Sequence, residues 1–244
     1  MSIIPENEMT FDHVAEALPL RRVYGGDMAN LAEELLLLAF HDDTGRNQVM
    51  NLEYGLAGGI ILDLALAERI DVVDKKVQVI SAEPTGDRLL DDMLQRLADD
   101  KQRRAQSVIQ RLARGLTQAV RDGLVADGVL EHERDTVLAV FPYNRYRPTS
   151  QTDVEAEVRR RLETAIDTGQ ADDRTRGLAT LVHILQMERK VFPDRKAREV
   201  RRALKELSEA SWSARATKAA IDSVMAATMS AAVAAGAAAA AAGG

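Results

Sequence analysis

Apolar residues along this chain fall mostly in runs and stripes of helical period, interrupted by two short stretches that alternate. The densest run, Leu31-Ala-Glu-Glu-Leu-Leu-Leu-Leu-Ala-Phe40, follows Asn30, which suits an N-cap. It carries Glu33 and Glu34 in the first turn, where carboxylates complement the helix dipole. Four consecutive leucines leave no polar face, so this helix is expected to be buried all round. A second helix is predicted from about Asn51 to Arg69, with Gly55, Gly58 and Gly59 inside it. Each glycine costs roughly 1 kcal/mol relative to alanine. Tolerating three of them implies that another backbone packs closely there.

Ile70 to Ile80 switches to strand character around the polar tip Asp74-Lys75-Lys76. Pro84-Thr-Gly-Asp87 leads into a helix striped by Leu89, Leu90, Met93, Leu94 and Leu97, and a helix or helix pair follows over roughly 103–126. A second short hairpin starts at Gly128-Val129-Leu130 and takes in Val137 to Phe141, with its tip expected around Glu133-Arg134-Asp135. The remainder reads as helices over 153–168, 173–191, 194–209 and 214–235, broken at Gly169, Phe192-Pro193 and Ser211-Trp212-Ser213. At an offset of sixty the two helix-to-hairpin passages align, Ile70 on Leu130, Val77 on Val137 and Ile80 on Val140. Recurrence of a common supersecondary unit for packing reasons accounts for this equally well. The elements together predict a mainly α fold with two short β-hairpins. Residues 1–27 read as a leader, partly ordered or loose, and 236–244 as a low-complexity Ala/Gly tail.

Length and composition narrow the class. The 244 residues, 46% apolar and 29% charged, suit one large soluble domain. The N-terminus lacks the basic leader and apolar run of a signal peptide. Zero cysteines exclude disulfides, thiolate metal sites and a cysteine nucleophile. The uncharged stretch Ser223 to Gly244 has the length of a membrane span but is mainly alanine, without the Leu, Ile and Phe density that favours insertion. It reads as a final core helix through about Ala235. The net charge of -6 conceals a split: residues 1–100 hold 20 Asp and Glu against 8 Lys and Arg, so the remaining residues are basic, with 24 against 18. Such a split points to an anionic partner for part of the surface, or to charge complementarity between the halves.

Catalytic chemistry is not evident. There is no phosphate loop of the Lys-Ser/Thr type, no nucleophile elbow and no His-Glu-x-x-His. His41-Asp42-Asp43 reads as a solvated turn rather than a metal site, and His183, in an apolar run, as a satisfied core histidine. No catalytic residue, cofactor or metal is predicted, and the chain reads as a non-enzyme. Arginine is more informative. In 103–126 the stripe Leu112, Leu116, Val120 and Leu124 sets Arg111, Arg114, Gln118 and Arg121 close to the opposite face. That face is either an ordinary solvated surface or a basic strip that grips phosphate through bidentate guanidiniums. Three of the nine aromatics fall between Phe141 and Tyr146, as Phe141, Tyr143 and Tyr146, interleaved with Arg145 and followed by Arg147. Such a segment suits an interface, or packs back on its own domain.

Four segments in order resemble the Golgi phosphoprotein 3 family, which includes a yeast vacuolar-sorting relative and many bacterial homologues. They are Leu31 to Phe40 with the following Asp-Asp-Thr-Gly turn, Gly55-Leu-Ala-Gly-Gly through Leu62-Asp-Leu-Ala-Leu, Pro84-Thr-Gly-Asp-x-Leu-Leu-Asp, and Leu124-Val-Ala-Asp-Gly-Val-Leu. The resemblance implies a single compact domain over 28–235, a hydrophobic helical core surrounded by amphipathic helices and loops. It also implies a cytoplasmic, peripheral membrane adaptor that binds phosphatidylinositol 4-phosphate and a client protein, with a hairpin that supports homo-oligomers, here Val137–Arg147. Of the family's lipid-pocket positions, a tryptophan and three arginines, this chain carries Gln48, Ala57, Arg114 and Thr117, so only Arg114 is kept. The expected anionic headgroup or phosphorylated ligand therefore rests on Arg114, assisted by Arg111 and Arg121. The alanine- and arginine-rich composition suits a high-GC bacterium, which has no Golgi. Nucleic-acid binding through the two helix-plus-wing units is disfavoured, because the helix before the first wing is apolar and acidic. A purely structural oligomerisation protein is the other alternative.

Overall fold

The computed structural model describes residues 29–40, 49–137, 141–149, 154–210 and 218–242. Within them, side chains are described except at 133–137, 141–145, 148, 218–220 and 239–242. The leader 1–27, Gln48 and the turn His41-Asp42-Asp43 lie outside these residues.

The cap read from the sequence opens the first helix, α1 (Leu31–Ala39). The Asn30 side chain accepts the Glu33 N–H at 3.0 Å while the Glu33 carboxylate accepts the Asn30 N–H at 3.0 Å, a reciprocal capping box. All nine residues of α1 are buried, the two glutamates included. The second helix, α2 (Leu52–Leu66), is the hub of the fold, touching five further helices besides α1. Its glycines explain how. A Cβ on Gly59 would lie 3.1 Å from the backbone nitrogen of Ala32 in α1, and one on Gly58 would lie 2.5 Å from Thr228 Oγ1. The close backbone approach inferred from composition therefore holds against α1 at Gly59, whereas at Gly58 the neighbour is a side chain, Thr228 of the last helix.

After α2 comes the hairpin β1 (Ile70–Val73) and β2 (Lys76–Val79), pairing Ile70 with Val79 and Val73 with Lys76. Helix α3 (Arg88–Asp99) is capped by Asp87, and a strand absent from the sequence reading, β3 (Arg103–Arg104), adds to the edge of β2. The 103–126 segment resolves into α4 (Ala105–Leu112) and α5 (Leu116–Ala126), divided at Gly115, whose φ of +72° ends helical continuity. The second hairpin, β4 (Leu130–Val137) and β5 (Phe141–Pro148), is longer than expected. Glu133, Arg134 and Asp135 are not its tip, because they pair within the ladder with Arg145, Asn144 and Tyr143. The outer helices follow: α6 (Val154–Thr168), α7 (Asp173–Ile184), the single turn α8 (Glu188–Val191), α9 (Ala197–Glu209) and α10 (Lys218–Ala242). The expected 173–191 helix is thus two, and α10 runs past Ala235 to Ala242, since alanine is the best helix former. Although Ile221–Ala238 is apolar and long enough to span a membrane, α10 packs along α2 and α4.

The offset of sixty has a structural counterpart. At the end of α2 the N–H groups of residues 67, 68 and 69 donate to the carbonyls of 63, 65 and 64; at the end of α5 those of 127, 128 and 129 donate to 123, 125 and 124. Both stops place a left-handed residue at the same point, Glu68 at φ 56° and Gly128 at φ 73°. The end of α7 repeats the arrangement at Gln186, φ 56°, so the motif is a common device for turning a helix.

Buried charges fasten the start of α1. Asp63 of α2 accepts the Leu31 N–H at 2.7 Å and a hydrogen bond from Arg174 of α7 at 2.5 Å. Arg174 also reaches Glu34, at 3.3 Å, and the Ala29 carbonyl, while Arg161 of α6 meets the other Glu34 oxygen at 2.6 Å. Asn30 donates to Asp87 at 2.9 Å, which ties in the cap of α3. Burial pushes the Asp63 carboxyl up to about 7, against the pull of the Arg174 guanidinium and the Leu31 N–H, and Glu34 and Asp87 add to the push.

The native state therefore keeps a proton on Asp63 that the unfolded chain releases near its ordinary value of 3.8. The sign follows: this group makes the fold less stable as pH rises from about 4 to about 7, with no further slope above. Asp100, Glu157, Asp172 and Glu188, all held low, act only in acid below the ordinary carboxylate range and do not overlap. Denaturant unfolding is expected to show a loss on the order of 2 kcal/mol between about pH 5 and about pH 8. In Asp63→Asn that slope should vanish; a slope that survives the substitution belongs to another group.

Candidate functional site

The arginines predicted to share one helical strip do not share one helix. Arg111 closes α4, Arg114 lies in the corner between α4 and α5, and Arg121 sits two turns into α5. The apolar stripe itself is as expected, with Leu112, Leu116, Val120 and Leu124 all buried, but the break at Gly115 redirects what lies opposite. Arg111 pairs with Asp100 at 3.3 Å. Arg114 is exposed and makes no side-chain hydrogen bond or ion pair among the described residues. Immediately after it, Gly115 occupies the N-cap of α5 without a side chain to cap it, and the Leu116 and Gln118 N–H groups donate instead to the Ala113 and Gly115 carbonyls, at 3.3 and 3.2 Å.

Arg121 points elsewhere. Its guanidinium carbon stands 5.4 Å from the ring centre of Phe40 and 5.3 Å from that of Tyr146, and its Nε is buried without a hydrogen-bond partner. Burial lowers its pKa, with Tyr146 and Asp122 opposing. Tyr146 is buried on its own domain; its ring stacks on His132 at 4.7 Å, and its hydroxyl accepts from Gln118 Nε2 at 3.0 Å. For this tyrosine the inward reading holds. The side chains of Phe141, Tyr143 and Arg145 lie outside those described, although the ladder sets Phe141 opposite Val137, Tyr143 opposite Asp135 and Arg145 opposite Glu133. Gln118 is placed with Arg121 on one helical face in the sequence, but its contact with Tyr146, and the parts played by Phe40 and His132, are not legible there. The i, i+3 spacing of Gln118 and Arg121 was the available signal, since both reach the same ring.

Of the pocket positions assigned by resemblance, Ala57 is fully buried in α2 and opens onto no surface, and Thr117 is half-buried in the first turn of α5. His183 is not a satisfied core residue. It is about a quarter exposed, its Nδ1 lacks a hydrogen bond, and it lies 3.6 Å from Glu188 Oε1 at the end of α7. A family model described as Golgi phosphoprotein 3 (GPP34) matches residues 31–224.

The packing of Tyr146 is testable by two substitutions read through denaturant unfolding. Tyr146→Phe removes only the Gln118 bond and should cost about 1 kcal/mol. Tyr146→Ala also empties the space beside Arg121 and should cost about 3–5 kcal/mol. An alanine variant as stable as the parent would mean that the ring does not cover the domain.

Proposed function

The chain belongs to the Golgi phosphoprotein 3 family, and from that membership we propose that it is a non-enzymatic, peripheral membrane adaptor that meets anionic lipid headgroups at Arg114. The observation that carries this reading is the exposed Arg114 guanidinium, which has no side-chain partner among the described residues and stands at the positive, N-terminal end of the α5 dipole. A helix N-terminus and a free arginine both favour a phosphate or carboxylate oxygen. Arg111, neutralised by Asp100, and Arg121, held between rings, contribute field rather than direct grip. With Ala57 and Thr117 at two former arginine positions, selectivity for phosphatidylinositol 4-phosphate is weaker than in a complete pocket. The site of action is the cytoplasmic face of a membrane, where the protein would hold a client.

Flotation with vesicles carrying phosphatidylinositol 4-phosphate tests this. Losing one charge-assisted contact in Arg114→Ala should weaken association about ten-fold or more. Equal flotation of parent and variant would remove Arg114 from the mechanism, and no flotation at any lipid composition would sink the membrane reading.

A second reading, self-association through β4 and β5, is favoured by one observation: these eight-residue strands form a two-stranded sheet, which leaves ladder edges that another copy can extend. Light scattering over a concentration series should then show growth in mass, and a constant monomer mass would rule it out.

A further inference from the structure

Most arginines of the basic second half are already occupied. Arg161 and Arg174 are engaged by Glu34 and Asp63, Arg159 by Glu155, Arg160 by Glu157, Arg195 by Asp167 and Arg201 by Glu188. A different situation holds where the three-stranded sheet meets α4. The β2–β3 register sets Lys76 directly opposite Arg104, a like-charge pair that costs stability in a ladder. Lys75, beside it in the turn, holds φ at +63°, a left-handed conformation that a lysine adopts at a cost. Its carbonyl accepts the Ala105 N–H at 2.9 Å, so the turn is fixed to the start of α4.

From that point cations continue along one line. Helix α4 buries Ala105, Val108, Ile109 and Leu112, and exposes Gln106, Ser107, Gln110 and Arg111. Arg104, Ser107, Arg111 and Arg114 succeed one another at spacings of three and four, all exposed, along a ridge of about 12 Å over the helix alone. Lys75, Lys76, Lys101, Arg104 and Arg114 are exposed, and none has a side-chain partner among the described residues. The acids within the segments that build the ridge, 74–76 and 100–114, are Asp74 in the turn and Asp100, which is taken up by Arg103 and Arg111. A ridge on which Lys75, Lys76, Arg104 and Arg114 lack partners among the described residues, with Arg111 alone paired to Asp100, on a chain of net charge -6 and kept despite a like-charge pair and a left-handed lysine, is an arrangement for meeting a polyanion.

We propose that this ridge, from Lys75 and Lys76 through Arg104 to Arg114, lies flat on an anionic lipid bilayer and supplies a headgroup-independent attraction. The proposal rests on the membrane reading above and extends it to residues outside any headgroup pocket. A bilayer fits better than nucleic acid. No aromatic side chain stands in 70–80 or 101–114 to stack on bases, whereas Val73, 43% exposed beside the lysines, can sit at the headgroup boundary.

The test compares phosphatidylcholine vesicles with and without phosphatidylserine, using the full chain. Parent protein should bind only the anionic vesicles and be released by salt. Each basic residue removed near the surface lowers partitioning about five-fold, so Lys75→Gln/Lys76→Gln/Arg104→Gln should lower it by roughly two orders of magnitude. Circular dichroism should be unchanged, because all three side chains are exposed. If the parent binds and the triple variant binds equally, the ridge is overturned while the membrane reading stands. Failure of the parent to bind any vesicle overturns the membrane reading itself. Salt-insensitive binding, or tighter binding to duplex DNA that the triple variant abolishes, would overturn the assignment to a bilayer.

Discussion

Asp63 holds two helices in place with one carboxyl group. One oxygen takes the first free N–H of α1, and the other takes the guanidinium of Arg174 on α7. Leu31 must be held this way because α1 is buried along its whole length and water cannot satisfy its exposed end. An apolar side chain at position 63 would leave the Leu31 N–H orphaned and Arg174 with Glu34 and the Ala29 carbonyl but without its Asp63 partner. Charge in this core therefore answers a need created by the helix ends, and it is tolerated because every member has a partner. The same knot draws in Asp87 and, through Arg161, α6. Three of the four segments that carry the family resemblance meet here, which gives those otherwise unremarkable motifs a common physical purpose.

The charge split along the sequence is partly this knot seen in one dimension. Second-half arginines reach back to first-half carboxylates, Arg161 to Glu34 and Arg174 to Asp63, so complementarity between the halves explains part of the imbalance. What remains without a partner is therefore more informative than the total. Part of it lies at the α4–α5 corner and where the sheet joins α4, with more around α8 and α9 at Arg189 and Arg198, and it is this residue of charge, not the arginine count, that supports an anionic partner.

Local rules made much of the fold legible. Asn30 announced its cap, Pro84 to Asp87 announced the start of α3, the glycines of α2 announced close neighbours, and the helix-to-hairpin stops recurred at the offset of sixty. Contacts made across long separations were not legible. Glu33 and Glu34 look like ordinary first-turn carboxylates until arginines 127 and 140 residues away close over Glu34. Over 103–126 one helix and a pair were both open, and Gly115 did not announce the division because the apolar stripe stays in register across it, Leu112 and Leu116 both being buried. Tyr146 could face either way in a strand, and only the positions of Gln118 and His132 decide it.

The candidate site shows how recognition and attraction separate. A phosphate monoester is discriminated by several donors converging on its oxygens, and at Ala57 and Thr117 this chain has no guanidinium to contribute. A ridge of separated cations does something different, since its field sums over many headgroups and does not depend on any one being phosphorylated at a given position. If the proposed ridge meets a bilayer, a chain with Ala57 and Thr117 at those positions and Arg104, Lys75 and Lys76 exposed would respond to the charge density of a surface rather than to the identity of one lipid. On that reading such binding would suit a membrane whose anionic lipids are abundant and unspecialised, with Arg114, exposed and without a side-chain partner among the described residues, adding preference for a phosphate on top of that attraction.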